Sequence, residues 1–284
     1  MAMRSNPMKA KLAAGETVYG TMIFEFLSPG LPRIVANSGA EFILYDLEHS
    51  GFTINDMKTQ FALCTGVGLV PLARPPGKAY HITARMLDVG GFGLMYQMVG
   101  SAAEARELVS WTRYPPAGVR GAIFGGAHDD YTGGDVADKA AAAMDRTLVC
   151  ALIETREGLE NIDEIMAVDG IDVAHLGHMD LSLSLGIPGQ YDHPDLQRAI
   201  DKLVEASEKN GKSAGAMMPS LEWGLDLKNR GYRMISWNHD MGLLSEALST
   251  GLAALKGGRR HVATRRRERS TGDVLVDVGY VRKL

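Results

Sequence analysis

Two carboxylates stand where apolar, strand-like runs give way to loops: Glu154 in Ile153-Glu154-Thr155, and Asp180 in Gly177-His178-Met179-Asp180-Leu181-Ser182. A pair of lone carboxylates with open space between them suits a hard divalent cation whose other positions go to water and substrate. Two upstream runs end in a similar way. Leu44-Tyr45-Asp46-Leu47-Glu48-His49 closes in groups able to move protons. Leu72-Ala73-Arg74-Pro75 closes in a fixed positive charge suited to a carboxylate or a developing enolate oxygen. By position at strand ends, Gln97, His239 and Asp240 join this set.

Each of these residues also has a plainer use. Glu154 and Asp180 could cap the helices that follow them or pair with an arginine such as Arg156, and Arg74 could form a structural ion pair. Context favours chemistry at Glu154. It ends a strand containing Leu148, Val149, Leu152 and Ile153, so it should be partly buried, and a buried carboxylate without a cation or donors is costly. His49 could be a neutral loop histidine, but Asp46 and Glu48 lie within three residues and either could orient its ring. His175, His178 and Asp180 look like a zinc cluster. Residues three apart do not share a face in an extended strand, which disfavours that reading. Gly118-Val119-Arg120-Gly121 and Gly125-Gly126 match neither phosphate-loop nor dinucleotide spacing and read as plain loop. No lysine stands clearly at a strand end, which disfavours a Schiff-base mechanism.

Strand ends far apart in sequence meet around one axis in a (β/α)8 barrel, where catalytic side chains come from the C-terminal ends of the strands. The chain alternates short apolar, β-branched runs with longer helical patterns, which is the signature of such units. Strands are expected over 17–24, 41–46, 68–74, 93–99, 148–154, 173–177, 213–218 and 233–238. Helices are expected over 29–38, 54–64, 79–87, 102–112, 159–168, 194–210, 221–229 and 242–255. Ser101 with Glu104 spells a capping box, and Gly66, Gly170, Gly211 and Gly231 follow helices where a left-handed residue is wanted. The long segment 114–146 reads as an excursion over one end of the barrel that helps build a substrate pocket. Residues 1–284 read as a single barrel domain with a basic extension from about 258, carrying Arg259, Arg260, Arg265, Arg266, Arg267 and Arg269. Such a run is usually solvated or in contact with another subunit.

A length of 284 residues is ordinary for one α/β barrel, and a 45% hydrophobic, 23% charged composition leaves ample core. The net charge of −4 gives no general reason to bind nucleic acid or an acidic membrane. Cys64 and Cys150 sit in apolar stretches without C-x-x-C spacing, so they read as core thiols in a reducing compartment. The amino-terminal stretch lacks the apolar run of a secretory signal, and a cytoplasmic location is expected.

Taken together, the motifs resemble those of the metal-dependent class II pyruvate aldolases typified by 4-hydroxy-2-oxoheptane-1,7-dioate aldolase. The resemblance runs from about Thr21 to about Leu255. It rests on Asp46-Leu47-Glu48-His49, Ala73-Arg74-Pro75, Leu87-Asp88-Val89-Gly90-Gly91, the run from Tyr114 to Gly121, Ile153-Glu154-Thr155, the run from Asn161 to Ile165, and Gly177 to Ser182, in that order. It implies that Glu154 and Asp180 hold a divalent ion, Mg²⁺ first, with Mn²⁺ or Co²⁺ also suited. It further implies a 2-oxo acid such as pyruvate or oxaloacetate chelating that ion, with an aldehyde as the second reactant. The Gly177-Met179-Asp180 backbone would receive the carboxylate, Arg74 and Glu48 would border the substrate, and Arg74 would stabilise the enolate. Asp46 and His49 would manage protons, and Asp88 would be a supporting or subunit-boundary residue. The resemblance also implies a homo-oligomer, a hexamer built as a trimer of dimers that exchange the helix over 242–255.

The chain departs from that pattern in several places, among them the loop Ala122-Ile123-Phe124-Gly125-Gly126, which lacks the small polar residue often found there. The family usually has Pro where this chain has His178, Val-Pro where it has Tyr96-Gln97, and Gln where it has Leu152. The metal site survives these changes, whereas substrate preference is open to alteration. Reversible aldol cleavage of a 4-hydroxy-2-oxo acid is therefore the leading expectation. Oxaloacetate decarboxylation or enolate carbon-bond formation of the macrophomate synthase type is a second, and a catalytically lapsed binding barrel is a third.

Overall fold

The computed structural model describes residues 3–257. Eight parallel strands close into a barrel in chain order: β1 Val18–Ile23, β2 Phe42–Asp46, β3 Val70–Arg74, β4 Gly93–Tyr96, β5 Leu148–Ile153, β6 Val173–Leu176, β7 Ser213–Met218 and β8 Tyr232–His239. Helices follow the strands and cover the sheet: α1 Pro7–Ala13, α2 Leu31–Asn37, α3 Ile54–Thr65, α4 Tyr80–Asp88, α5 Ala102–Thr112, α6 Val136–Arg146, α7 Arg156–Glu160, α8 Ile162–Met166, α9 His178–Ser184, α10 Pro194–Lys209, α11 Leu221–Asn229 and α12 Asp240–Leu255. The expected (β/α)8 architecture is the observed one.

Strand residues alternate between two cores, as a pleated strand requires. Leu44, Leu72, Met95, Cys150, Leu152 and Val173 fill the barrel interior, whereas Tyr45, Ala73, Leu94, Ala151, Ile153 and Ala174 pack outward against the helices. Met8 and Leu12 of α1 join the interior cluster. This short helix lay outside the expected elements, although Asn6 as N-cap and Pro7 at the first position mark its start.

Several expected boundaries shift for local reasons. The pattern over 159–168 is two short helices, and between them the Asn161 side chain donates to the carbonyl of Gly100 at 2.8 Å. The fourth strand stops at Tyr96 rather than 99 because Met98 takes φ +49°. The fifth and sixth stop before Glu154 and Gly177. Gly170, Gly211 and Gly231 adopt positive φ, but Gly66 is right-handed at φ −72° and the left-handed turn falls on Gly68. Ser101 caps α5 through the Glu104 N–H, while the Glu104 carboxylate accepts from Gly100 rather than from Ser101, so the reciprocal box is not formed there. Thr53 and Asp56 form a complete one at α3.

The segment 114–146 contains α6 and the turn Ala127–Asp129. Gly90 abuts Ala127, Asn6 donates to the Arg146 carbonyl at 3.0 Å, and Arg146 stacks on Phe92. These contacts hold it beside the residues that precede β4 and β5, at the amino-terminal ends of the strands. It therefore lies at the end opposite the clustered strand termini, contrary to the expectation that it helps build the substrate pocket within this chain.

Cys64 and Cys150 are buried free thiols, and among the described residues no helix is long and apolar enough to cross a membrane. The chain divides into one unit through Ser245 and another from Glu246. The described part of the second is the end of α12, with Leu248, Leu252 and Leu255 exposed. The basic run expected from about 258 lies outside the described residues.

Candidate active site

β2 and β3 run in register with Asp46 beside Arg74, and this pairing builds the cationic wall of the site. The Arg74 guanidinium donates through Nε to Asp46 Oδ1 at 3.1 Å and through Nη2 to Asp46 Oδ2, with Glu48 Oε2 at 3.2 Å from Nε. Both members of the pair are buried. Burial pulls the Arg74 pKa down, but the hydrogen bond and charge of Asp46, then the charges of Glu48 and Glu154, outweigh it and leave the value raised. The guanidinium is thus a permanent charge held at the mouth of the barrel.

Glu154 sits just beyond β5 with 4% exposure. Its Oε1 accepts the Met98 N–H at 2.7 Å, which accounts for the left-handed backbone at Met98. On its other flank lies Gly177, where an added Cβ would stand 2.6 Å from Glu154 Cβ and 2.7 Å from Oε2. Burial, then the neighbouring charges of Asp180 and Glu48, push the carboxyl up to about 7 against the opposing Met98 bond and Arg74 charge. Asp180 is in the first turn of α9, half-buried. The N–H groups of Met179 and Asp180 lie in that turn too, where no intrahelical carbonyl is available to them.

Arg74, Glu154, Gly177, Met179, Asp180 and His49 share one cavity of about 330 Å³ at the strand termini. Met22, Met95, Leu152 and Met217 give it an apolar floor. The Asp46 carboxylate does not hydrogen-bond the His49 ring directly. Asp46 instead accepts the backbone N–H of Glu48 at 2.7 Å and of His49 at 3.4 Å, and it is Glu48 Oε2 that lies 3.6 Å from the exposed His49 Nε2. Asp88 is outside the cavity, at the end of α4, accepting from Arg120 at 2.7 Å. Gln97 donates to the Pro75 carbonyl at 3.2 Å, and Asp240 receives the N–H groups of Phe24, Glu25 and Phe26 at 2.8–3.0 Å, so both brace loops.

Two histidines set aside as zinc ligands also line the cavity. His178 is packed edge-on against Tyr191 and Trp223, and burial lowers its pKa to about 4. His175 is wholly internal, and burial with the charges of Arg74 and His178 lowers it to about 3. The signal for His175 was its alternation with Val173 and Gly177 on one face of a strand. Among the described residues, no three His, Cys, Asp or Glu side chains gather as a protein-only metal cage. A cation here would draw on Glu154 and Asp180 and fill its sphere from substrate and solvent.

The sequence pattern of the HpcH/HpaI aldolase/citrate lyase family matches residues 22–247. A 2-keto-3-deoxy-L-rhamnonate aldolase of Klebsiella pneumoniae is 36% identical over 262 residues, covering 90% of this chain and 95% of that protein. The HpcH/HpaI aldolase of Desulfitobacterium hafniense superposes with a TM-score of 0.84 at 31% identity, over 87% of this chain and 96% of that one. Macrophomate synthase shares the fold, with a TM-score of 0.78 at 23% identity over 88% of each chain. Pattern, relatives and barrel agree: the chain belongs to the HpcH/HpaI aldolase/citrate lyase family, and is an enzyme of the carbon–carbon lyase type.

Proposed function

We propose that the chain catalyses reversible, divalent-metal-dependent aldol cleavage of a 4-hydroxy-2-oxo acid to pyruvate and an aldehyde. One observation carries this reading. A carboxylate at 4% exposure, with two further acids pressing its pKa upward, lines the same cavity as a buried guanidinium. Glu154 and Asp180 are the residues that would hold the cation, and Mg²⁺, Mn²⁺ and Co²⁺ all suit a two-carboxylate, water-completed site. The family is generally metal-dependent; when bound, the ion supplies a Lewis acid for the 2-oxo group.

The protein's own groups do the rest. Arg74, pinned by Asp46 and Glu48, presents positive charge where the enolate oxygen develops, a contribution often worth about 3 kcal/mol. Asp46 acts on that guanidinium and on the loop bearing His49, not on the imidazole itself. His49 at the rim takes the proton of the 4-hydroxyl as the C3–C4 bond breaks, and Glu48 orients its ring. The Met179 and Asp180 N–H groups, with Gly177 leaving room, receive the substrate carboxylate. Asp88, paired with Arg120, supports the fold or a subunit boundary rather than the reacting atoms.

A 2-keto-3-deoxy sugar acid carries the required arrangement of 2-oxo group, methylene and 4-hydroxyl, and is the proposed substrate class. Incubation with 2-keto-3-deoxy-L-rhamnonate and Mg²⁺ should release pyruvate and an aldehyde in equal amounts. Turnover of oxaloacetate alone, with no aldol product from any hydroxy-oxo acid, would instead identify a decarboxylase. We also propose a homo-oligomer, a hexamer made of three helix-exchanged dimers, supported by the exposed Met241, Leu244, Leu248, Leu252 and Leu255 along one face of α12.

A further inference from the structure

Among the described residues, the Glu154 carboxylate accepts one hydrogen bond, from the Met98 N–H. The turn that carries this donor is not anchored by its own side chain. Met98 is 51% exposed and borders a second cleft, of about 620 Å³, that shares no lining residue with the cavity. Its backbone is left-handed at φ +49°, a conformation unfavourable for any residue with a Cβ. The next residue is fixed, because Val99 is buried and its N–H donates to the Leu152 carbonyl of β5 at 3.2 Å. The strain therefore falls on Met98, and polar contacts rather than side-chain packing have to hold it.

Three side chains from separate parts of the chain supply those contacts. Lys78, in the loop before α4, donates through Nζ to the Met98 carbonyl at 2.8 Å and pairs with Glu104 Oε1 of α5. The other Glu104 oxygen accepts the Gly100 N–H at 2.9 Å, and Asn161 donates to the Gly100 carbonyl at 2.8 Å. Glu104 and Asn161 thus secure Gly100, two residues on, whereas Lys78 secures Met98 itself. A bond from an ammonium is charge-assisted and stronger than one between neutral groups. Glu104 keeps that ammonium over the turn.

We propose that Lys78, oriented by Glu104, is a positioning residue for the cation-binding carboxylate. By holding the Met98 carbonyl it keeps the left-handed turn in place, and the turn keeps its N–H on Glu154 Oε1. The inference rests on the proposed function and concerns how the cation site of that reading is kept in shape. Lys78 lines the second cleft and not the cavity, so it acts through Met98 and touches no reacting atom.

Hydrogen exchange at the Met98 amide of the metal-free full chain, read by mass spectrometry, tests this together with Mg²⁺ calorimetry on the same preparations. Lys78→Met keeps the aliphatic stem and removes the ammonium. It should exchange Met98 at least about tenfold faster than wild type and bind Mg²⁺ at least about fivefold more weakly, with little change in the thermal midpoint. Lys78→Arg, which can still donate to the carbonyl, should restore much of both. Exchange and Mg²⁺ affinity equal to wild type in Lys78→Met would overturn the role of Lys78 and leave the cation site at Glu154 standing. Faster exchange with unchanged affinity would also overturn it, because the turn would then not govern Glu154. A joint loss of affinity and thermal stability that Lys78→Arg does not restore would overturn it in favour of a merely structural role. Wild type that binds no Mg²⁺ would overturn the metal reading of the site, and the exchange comparison would still decide whether Lys78 holds Met98.

Discussion

Glu154 is a buried carboxylate pressed by two neighbouring acids. Its carboxyl is raised to about 7 by burial first and then by Asp180 and Glu48, so near neutrality a proton and a cation compete for it. Cation affinity should be nearly flat above about pH 8 and fall about tenfold per unit below about pH 6, as one proton must leave for each ion bound. Calorimetry across that range checks this, and affinity independent of pH would mean that another group receives the ion. The sign for stability runs the same way. A carboxyl whose folded value exceeds its ordinary 4.5 stabilises the protein at low pH, and that contribution disappears as pH rises through about 7. As far as this group is concerned, the metal-free enzyme should therefore melt lower at pH 8 than at pH 5, a difference that Glu154→Gln should reduce. Of the residues singled out from sequence, Arg74, Glu154, Asp180 and His49 do meet in one cavity. Asp88 does not, because its place at the foot of a helix depends on tertiary packing that local pattern does not encode.

At the scale of elements, the site is made where strands stop. Met98 leaves β4 through a left-handed residue to give its N–H to Glu154, and Gly177 ends β6 without a side chain so that Glu154 can lie against it. Gly177→Ala would place a Cβ 2.7 Å from Glu154 Oε2 and force the carboxylate aside. That variant should still fold, at a cost of about 1–3 kcal/mol in denaturant unfolding, and bind the cation at least about tenfold more weakly. Unchanged affinity would show that the contact between β5 and β6 does not set the site. These strand ends are also where the sequence expectation ran long. Apolar runs buried on both faces mark strand interiors well, and 213–218 is observed as expected. Glu154 and Gly177 continue the pattern in sequence while their backbone has already turned to serve the cavity. The helix over 159–168 misled for a related reason, since its apolar period runs through Asn161, whose side chain is drawn to Gly100. His175 was visible as an inward strand residue but was weighed only as a metal ligand, and an unpaired imidazole is recognisable only once its neighbours are known.

For the whole molecule, alternation of strand and helix was sufficient to indicate a closed barrel, because eight parallel strands with short crossovers have few other ways to bury both faces. The far end of that barrel was less legible: the 114–146 segment, expected to help build the substrate pocket, packs beside Asn6, Gly90 and Phe92, away from the cavity. The apolar face of α12 bears on the assembly. Leu248→Lys with Leu252→Lys should lower the mass found by light scattering from a hexamer to a smaller species, and a wild type already monomeric would contradict the proposed exchange. Yet the claim on which the enzyme reading turns is that Glu154 anchors a cation that promotes enolisation. Deuterium exchange at the methyl group of pyruvate, followed by proton NMR, tests it without any aldehyde. Wild type with Mg²⁺ should exchange, and a chelator or Glu154→Gln should stop it; exchange that persists in either case would contradict the account.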